Sequence, residues 1–253
     1  MALIATAILI FAILSSAGIG CLFFHHRVMS RHHDDATLSV IRLIAGIFVV
    51  MTSLVLGLMI NSAKNRFDGI NRDVHAFATD LVLLDRTLQL YGSDAADARR
   101  RLARYVERAA DGKWTSRDPL LVSDKTSEEL LNDVGNSLRS FSPADGEHLA
   151  VWNDARQEYS KIVELRWALL EQSEGSIPPP IVAMVVTWLL LVFASFGYRA
   201  PRNAIVIGSL LVAAALMSST IYLILELDAP FSGAISVSPA PLQRVLAEMK
   251  RQP

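Results

Sequence analysis

The sequence predicts an all-α membrane protein with four transmembrane helices and a helical extramembrane domain inserted between helices 2 and 3. The first observation is a set of four stretches without Asp, Glu, Lys or Arg: residues 2–24, 43–60, 177–198 and 203–225. A bilayer core of about 30 Å requires about 20 apolar helical residues, so each stretch can cross it, the second with help from its flanks. The second observation is helical periodicity between residues 61 and 176, where no alternating strand pattern competes.

The composition argues against two classes of protein. With 52% hydrophobic residues, gathered largely in these stretches, the chain is not a simple soluble globule. A formal net charge of -1 lacks the basic excess of nucleic-acid-binding proteins, so we expect no nucleic-acid partner. The single cysteine, Cys21, cannot form an intrachain disulfide.

Four segments follow from this organisation. They are residues 1–60 with transmembrane helices 1 and 2, the helical domain 61–176, residues 177–225 with transmembrane helices 3 and 4, and the C-terminal segment 226–253. The first stretch has no preceding basic residue and exceeds the core of a signal peptide, so we expect a retained helix. Lys and Arg nearly balance on the two sides of the membrane, which leaves the orientation open. The even number of spans places both termini and the inserted domain on one side.

The second membrane helix is predicted to continue well beyond the bilayer. Seven apolar residues after it recur at alternating steps of four and three: Ile70, Val74, Phe77, Leu81, Leu84, Leu88 and Tyr91. Such a heptad stripe is typical of one buried helix face, and Gly92 is suited to end the helix. Packing within one helical domain is the favoured interpretation, and a subunit interface is the alternative.

Three more helices are predicted in the inserted domain. One spans Asp94 to Ala110, with Leu102, Tyr105 and Val106 as its buried face. The residues Thr126 and Glu129 form a capping box for the next helix. The last helix is predicted to open at Ser142 and Pro143, and the prolines of residues 176–180 separate it from the third membrane stretch.

A search for catalytic or metal-binding groups finds one cluster, in the loop between the first two membrane helices. Its members are His25, His26, His32, His33, Asp34 and Asp35. Imidazole and carboxylate suit a divalent metal. A short loop rarely fixes ligand geometry by itself, so we expect a solvated polar loop and no metal site. The sequence has no phosphate-binding glycine loop, zinc-protease helix or nucleophile elbow, and we expect neither enzymatic activity nor a cofactor.

The second membrane helix carries apolar residues at four-residue steps. Val50, Leu54 and Leu58 follow Gly46 along one slowly drifting face. Around an oligomer axis these side chains would form stacked apolar rings, which gate ions by dewetting. The spacing alone is equally typical of an ordinary membrane helix, so it does not decide the function.

Several short motifs resemble a known family. The triplet Val55 to Gly57, followed after eight residues by Arg66 and Phe67, resembles the second helix of bestrophins, and residues 226–233 resemble the segment after their last membrane helix. More closely, the chain is similar over residues 38–245 to the bestrophin-like family of bacterial membrane proteins. The stretches that carry this similarity are residues 81–86, 176–180, 193–197, 200–203 and 223–242.

The resemblance implies a pentameric ion channel whose second helices line an axial pore. On the family pattern the pore neck falls on Val50, Leu54 and Leu58, and a mouth and a supporting segment are expected beside it. The favoured alternatives are a side chain that snorkels to the headgroups for Arg42 and interfacial anchors for Glu226 and Asp228. The predicted mouth residues are Arg42, Asn61, Lys64 and Arg66, and the segment after helix 4 contributes Glu226, Asp228, Pro230, Phe231 and Gly233. The implied partners are the lipid bilayer, inorganic ions and further copies of the chain, in the bacterial inner membrane.

Two departures from animal bestrophins limit what is carried over. The neck residues are aliphatic here and mostly aromatic there. Residues 234–239 contain no carboxylate, whereas Ca²⁺ requires six to eight oxygen ligands, so calcium activation is not expected. The alternative function is a non-conducting membrane scaffold or signalling protein whose helical domain binds a partner. A metal-responsive protein that uses the histidine loop is a third hypothesis.

Overall fold

The computed structural model describes residues 2–28, 35–111, 125–172, 177–198, 200–231 and 234–251, where every regular element is a helix. The helices are α1 (Ala2–Val28), α2 (Asp35–Tyr91), α3 (Ala96–Asp111), α4 (Lys125–Arg139), α5 (Gly146–Glu171), α6 (Pro179–Gly197), α7 (Ala204–Leu227) and α8 (Ala240–Arg251). Four helices contain segments long and apolar enough to span a membrane: Leu3–Phe23, Ser39–Tyr91, Pro179–Gly197 and Ala204–Leu227. These features confirm the predicted all-α membrane fold.

The chain forms two compact units. The first comprises Met1–Arg66 and Ser176–Asp228, and the second comprises Phe67–Gly175 and Ala229–Pro253. Helix α2 contributes its first part to one unit and its last part to the other.

The first unit is built around α1, which packs against α6 and α7. Leu14 of α1, Val185 of α6 and Ala214 of α7 are buried in its apolar core. The Ser218 hydroxyl donates a hydrogen bond to the Ala7 carbonyl oxygen at 2.6 Å and joins α7 to α1. This bond satisfies a hydroxyl group that would be costly to bury alone.

A glycine lets α1 and α6 approach each other closely. A Cβ atom on Gly197 would clash with the carbonyl oxygen of Gly18. Small residues at such positions let neighbouring membrane helices pack backbone against backbone. Pro179 stands in the first turn of α6, where its missing N–H leaves no hydrogen bond unmade, which confirms the predicted break before this helix.

The second unit has the predicted heptad stripe in its core. All seven stripe residues of α2 are buried, from Ile70 to Tyr91, and Leu102, Tyr105 and Val106 of α3 are also buried as predicted. Packing within one helical domain is therefore the correct interpretation of the stripe. Burial raises the pKa of the Tyr105 hydroxyl to about 12.

In the second unit, the end of α2 agrees with the prediction from the sequence, and the starts of α4 and α5 differ from it. Helix α2 ends at Tyr91, and Gly92 follows with a positive φ of 95° that favours glycine. Thr126 lies inside α4, which includes Lys125, so it is not the predicted N-cap. The prediction that Ser142 and Pro143 open α5 is also wrong.

The true N-cap of α5 is Asp145, and the helix begins at Gly146. The Asp145 carboxylate accepts a hydrogen bond from the His148 backbone N–H at 2.8 Å, which satisfies one donor of the first turn. An N-cap side chain accepts from the N–H three residues later, and Asp145 stands three residues before His148, whereas Ser142 and Pro143 stand further away.

Candidate functional site

The candidate site is the membrane part of α2, where apolar side chains are exposed on one side. Val50, Leu54 and Leu58 have relative exposures of 69%, 64% and 61%. Steps of four residues turn a helix by about 40° beyond a full turn, so these side chains lie along one slowly drifting stripe. The structure of one copy thus leaves the predicted neck residues uncovered.

The opposite side of α2 is the one that packs on its own unit. Ala45, Thr52, Met59 and Ala63 are buried and recur mostly at seven-residue spacing. Phe48 also contacts Trp188 of α6, with ring centroids 6.3 Å apart. One narrow face of the helix is therefore covered and the remaining circumference is available to lipid or to other copies.

Polar residues follow the apolar stripe along α2. Asn61 and Lys64 are exposed, and Asn61 lies three residues after Leu58, on nearly the same face. Asn65 is also exposed and follows Leu58 by seven residues, which returns it to the same face. The sequence analysis did not single out Asn65, although the heptad step from Leu58 is a signal for it.

Arg42 and Arg66, the other two predicted mouth residues, have different surroundings. Arg42 is exposed and lines a groove between α2 and α6. Arg66 is half-buried, and its Nε lies 4.0 Å from Asp228 Oδ1. These two arginines thus have contacts within the first unit.

Asp228 links three parts of the first unit. It is the C-cap of α7, its side chain is only 8% exposed, and its Oδ2 accepts a hydrogen bond from the Ile177 backbone N–H at 3.1 Å. With Arg66 nearby, the carboxylate bridges α2, the end of α7 and the chain entering α6. A buried carboxylate is costly unless paired and hydrogen-bonded, and both kinds of partner are present.

The other predicted residues at and after the end of α7 also make contacts within their own units. Glu226 is buried and hydrogen-bonds Tyr222. In the second unit, the Pro230 carbonyl oxygen accepts a hydrogen bond from the Val237 N–H at 2.8 Å, and Phe231 is buried in the core. Gly233 lies outside the described residues.

Part of the predicted histidine cluster lies outside the described residues. His32, His33 and Asp34 lie outside the described residues. Within the described ranges, no group of three or more His, Cys, Asp or Glu residues is placed to hold a metal ion.

Residues 81–86, one of the stretches that carry the family similarity, belong to the second unit. Asp85, within residues 81–86, is buried and accepts hydrogen bonds from Arg99 Nε at 2.9 Å and Nη2 at 3.3 Å. A two-pronged contact of this type fixes the orientation of both side chains. It joins α2 to α3 and holds the inserted helices together.

Comparisons with known proteins identify a family and a fold. A family model described as Bestrophin-like domain matches residues 12–242. A bacterial bestrophin homologue from Klebsiella pneumoniae, solved by Zn-SAD phasing, aligns with a TM-score of 0.66 at 14% identity over 99% of each chain. A point mutant of that homologue gives a TM-score of 0.67 at 16% identity over 100% of both chains. No curated protein matches the sequence.

Proposed function

Because the chain belongs to the bestrophin-like family, we propose that it is an ion channel that conducts passively through an axial pore. Several copies of the chain assemble in the membrane, and their α2 helices surround the pore. It is an integral membrane protein, and its proposed location is the bacterial inner membrane. The transported species are inorganic ions.

The observation that carries the proposal is the exposure of the α2 stripe. Val50, Leu54 and Leu58 together project from the side of α2 opposite its buried face. In an oligomer with α2 at the axis they form three successive apolar rings, a constriction that opens and closes by wetting and dewetting. The family resemblance selects these three residues, and their spacing and exposure are compatible with that role.

The proposed oligomer is a pentamer, as the family resemblance implies. Support comes from the narrow buried face of α2, because most of the helix surface lies uncovered in one copy. Neighbouring α2 helices would cover its flanks, while the stripe would face the axis. Closed cyclic symmetry is the usual arrangement for such head-to-tail contacts.

The mouth beyond the neck includes Asn61 and Lys64 in this proposal. Both are exposed and follow the apolar stripe, and amide and ammonium groups can contact an ion as it leaves the neck. Arg42, which lines the groove with α6, and Arg66, which adjoins Asp228, remain proposed mouth residues. Asp228 also supports the pore helix through Arg66.

Ion flux from liposomes that contain the purified oligomer tests the proposal. Truncation of the central ring in Leu54→Ala widens the neck and makes it less apolar, so flux should rise several-fold over wild type. The matched control is Leu216→Ala on α7, the same substitution at a similar exposure of 63%. Its flux should equal that of wild type.

A verified oligomer that shows no flux, with or without Leu54→Ala, contradicts the channel proposal. That result would favour the non-conducting scaffold instead. An equal rise in both variants would show a general leak and contradict the assignment of the neck to α2.

A further inference from the structure

A groove between the first part of α2 and the end of α6 lies outside the proposed pore neck. Its volume is about 560 Å³, within the range of small-molecule sites. Its walls are mostly apolar and include Val49 of α2, Phe196 of α6 and Pro201 beyond it. Phe196 is 56% exposed, so the groove opens toward the surroundings of the unit.

One end of this groove carries a positive charge. Arg42 is the one charged residue among the described residues that line it, and its side chain is exposed. It directly precedes the uncharged stretch 43–60, which places it at the membrane boundary. Tyr198, at the end of α6, also lines the groove, and tyrosine is enriched at this level of the bilayer.

A second groove of similar size, between α1 and α7, differs from the α2–α6 groove in charge. It has a volume of about 570 Å³ and is lined by residues such as Ile4, Phe11 and Tyr222. None of the described residues that line it is charged. Of the two grooves, the α2–α6 groove is therefore the one whose described lining includes a cation.

We propose that the α2–α6 groove is a binding site for a phospholipid with an anionic headgroup. The Arg42 guanidinium binds the phosphate through charge-assisted hydrogen bonds, and an acyl chain lies along Val49 and Phe196. The apolar walls fit a lipid rather than a free phosphate ion, which would leave them uncovered. The site does not depend on whether the chain conducts ions.

Native mass spectrometry of the detergent-purified protein tests this site. Phosphatidylglycerol and phosphatidylcholine with identical acyl chains are added at equal concentrations, and the bound fraction of each is measured. Wild type should retain phosphatidylglycerol preferentially. Loss of one charge-assisted contact in Arg42→Gln should reduce that preference about tenfold.

Three further variants separate the headgroup contact from the acyl-chain contact and from general effects of charge. Arg42→Lys keeps the charge and should keep the preference. Val49→Trp fills the groove and should reduce binding of both lipids. The control is Arg202→Gln, because Arg202 already donates a hydrogen bond to the Phe23 carbonyl oxygen at 3.1 Å, and its preference should match wild type.

Three results would overturn the proposal. The first is equal retention of phosphatidylglycerol by wild type and Arg42→Gln. The second is a change of oligomer mass in Val49→Trp without a change in lipid binding, which would assign the groove to a second copy. The third is displacement of the lipid by equimolar inorganic phosphate, because the acyl chain would then contribute nothing.

Discussion

Asp145 and His148 form a pair in which one carboxylate serves both a helix and an ion pair. Asp145 Oδ1 lies 2.8 Å from the His148 backbone N and 2.8 Å from its Nδ1. The backbone and side-chain hydrogen bonds from His148 lower the pKa of Asp145. The hydrogen bond to Asp145 raises the pKa of His148. Both shifts mean that the charged pair stabilises the folded chain.

The pair predicts a pH-dependent stability. The pKa of His148 is raised in the folded chain, so protonated His148 stabilises the fold. This stabilisation is complete below the unfolded pKa of about 6.5 and is lost as the pH rises through the folded pKa. The pKa of Asp145 is lowered in the folded chain, so ionised Asp145 also stabilises the fold. This stabilisation is complete above the unfolded pKa of about 3.9 and is lost as the pH falls through the folded pKa. The difference in unfolding temperature between wild type and His148→Gln should therefore be larger at about pH 5.5 than at about pH 8.5.

Asp145→Asn provides the control for this measurement. Asparagine is also a good N-cap, so the helix start is kept while the negative charge is removed. His148→Gln in that background should lower the unfolding temperature through the lost edge contact with Tyr91, with a much smaller difference between the two pH values, because Glu147 and Asp94 still raise the pKa of His148. A pH-independent difference in the original background would contradict the ion pair.

Some site residues are predictable from sequence and others are not, for a physical reason. The four-residue spacing of Val50, Leu54 and Leu58 is a local pattern, and these side chains lie on the exposed side of α2. Their assignment to a pore neck rests on the family resemblance and stays a prediction. The contact of Asp228 with Ile177 joins residues 51 positions apart, and no local pattern encodes it. The same holds for Arg66, whose surroundings depend on where α7 ends.

At the scale of elements, the existence of a helix is more predictable than its boundaries, although α8 (Ala240–Arg251) is not among the predicted helices. The apolar stretches and the heptad stripe are properties of many residues, so they tolerate local ambiguity. The start of α5 depends on one side chain, and Ser142 with Pro143 is locally as suitable as Asp145. Asp145 has the advantage of its second contact, with the His148 ring, and this contact becomes evident only in the folded helix.

The close approach of α1 and α6 predicts a strong effect of one methyl group. Gly197→Ala places a Cβ against the Gly18 carbonyl oxygen, so the helices must separate, at a cost of about 1–3 kcal/mol in the free energy of unfolding. Gly208→Ala in α7 is the matched control, because its Cβ would meet no atom within 4 Å. That control should be neutral or stabilising by up to about 1 kcal/mol.

Detergent unfolding of both glycine variants, followed by circular dichroism, measures this difference. Equal stability of Gly197→Ala and Gly208→Ala would show that α1 and α6 do not pack as described. Both variants make the same Gly-to-Ala change, and the propensity gain should be smaller at Gly197, the last residue of α6, than at Gly208 inside α7, so a clear loss of stability in Gly197→Ala reports the contact.

At the scale of the whole molecule, the sequence predicts the fold class but leaves one packing relation open. The C-terminal segment contains α8, whose residues Leu242, Val245 and Met249 are buried in the second unit. A short amphipathic helix can pack on many apolar surfaces, so the apolar pattern of α8 does not predict which helix it contacts. The contact of Lys250 with Glu107 at 3.3 Å identifies α3 as a neighbour.

The whole-molecule account also predicts the oligomeric mass. Native mass spectrometry of the protein in mild detergent should give a main species at about five times the chain mass of 27.8 kDa. The uncovered surface of α2 is the physical reason to expect association. A stable monomer at all protein concentrations would contradict the assembly and leave the apolar stripe facing lipid.

Thiol block of flux tests the pore most directly. In a Cys21→Ala background, which removes the native thiol, Leu54→Cys places one thiol in each subunit at the central ring. A charged, membrane-impermeant thiol reagent should stop ion flux in Leu54→Cys and leave Leu216→Cys unaffected, because only position 54 is proposed to face the axis. Unchanged flux through Leu54→Cys after labelling confirmed by mass spectrometry would contradict an axial pore lined by α2.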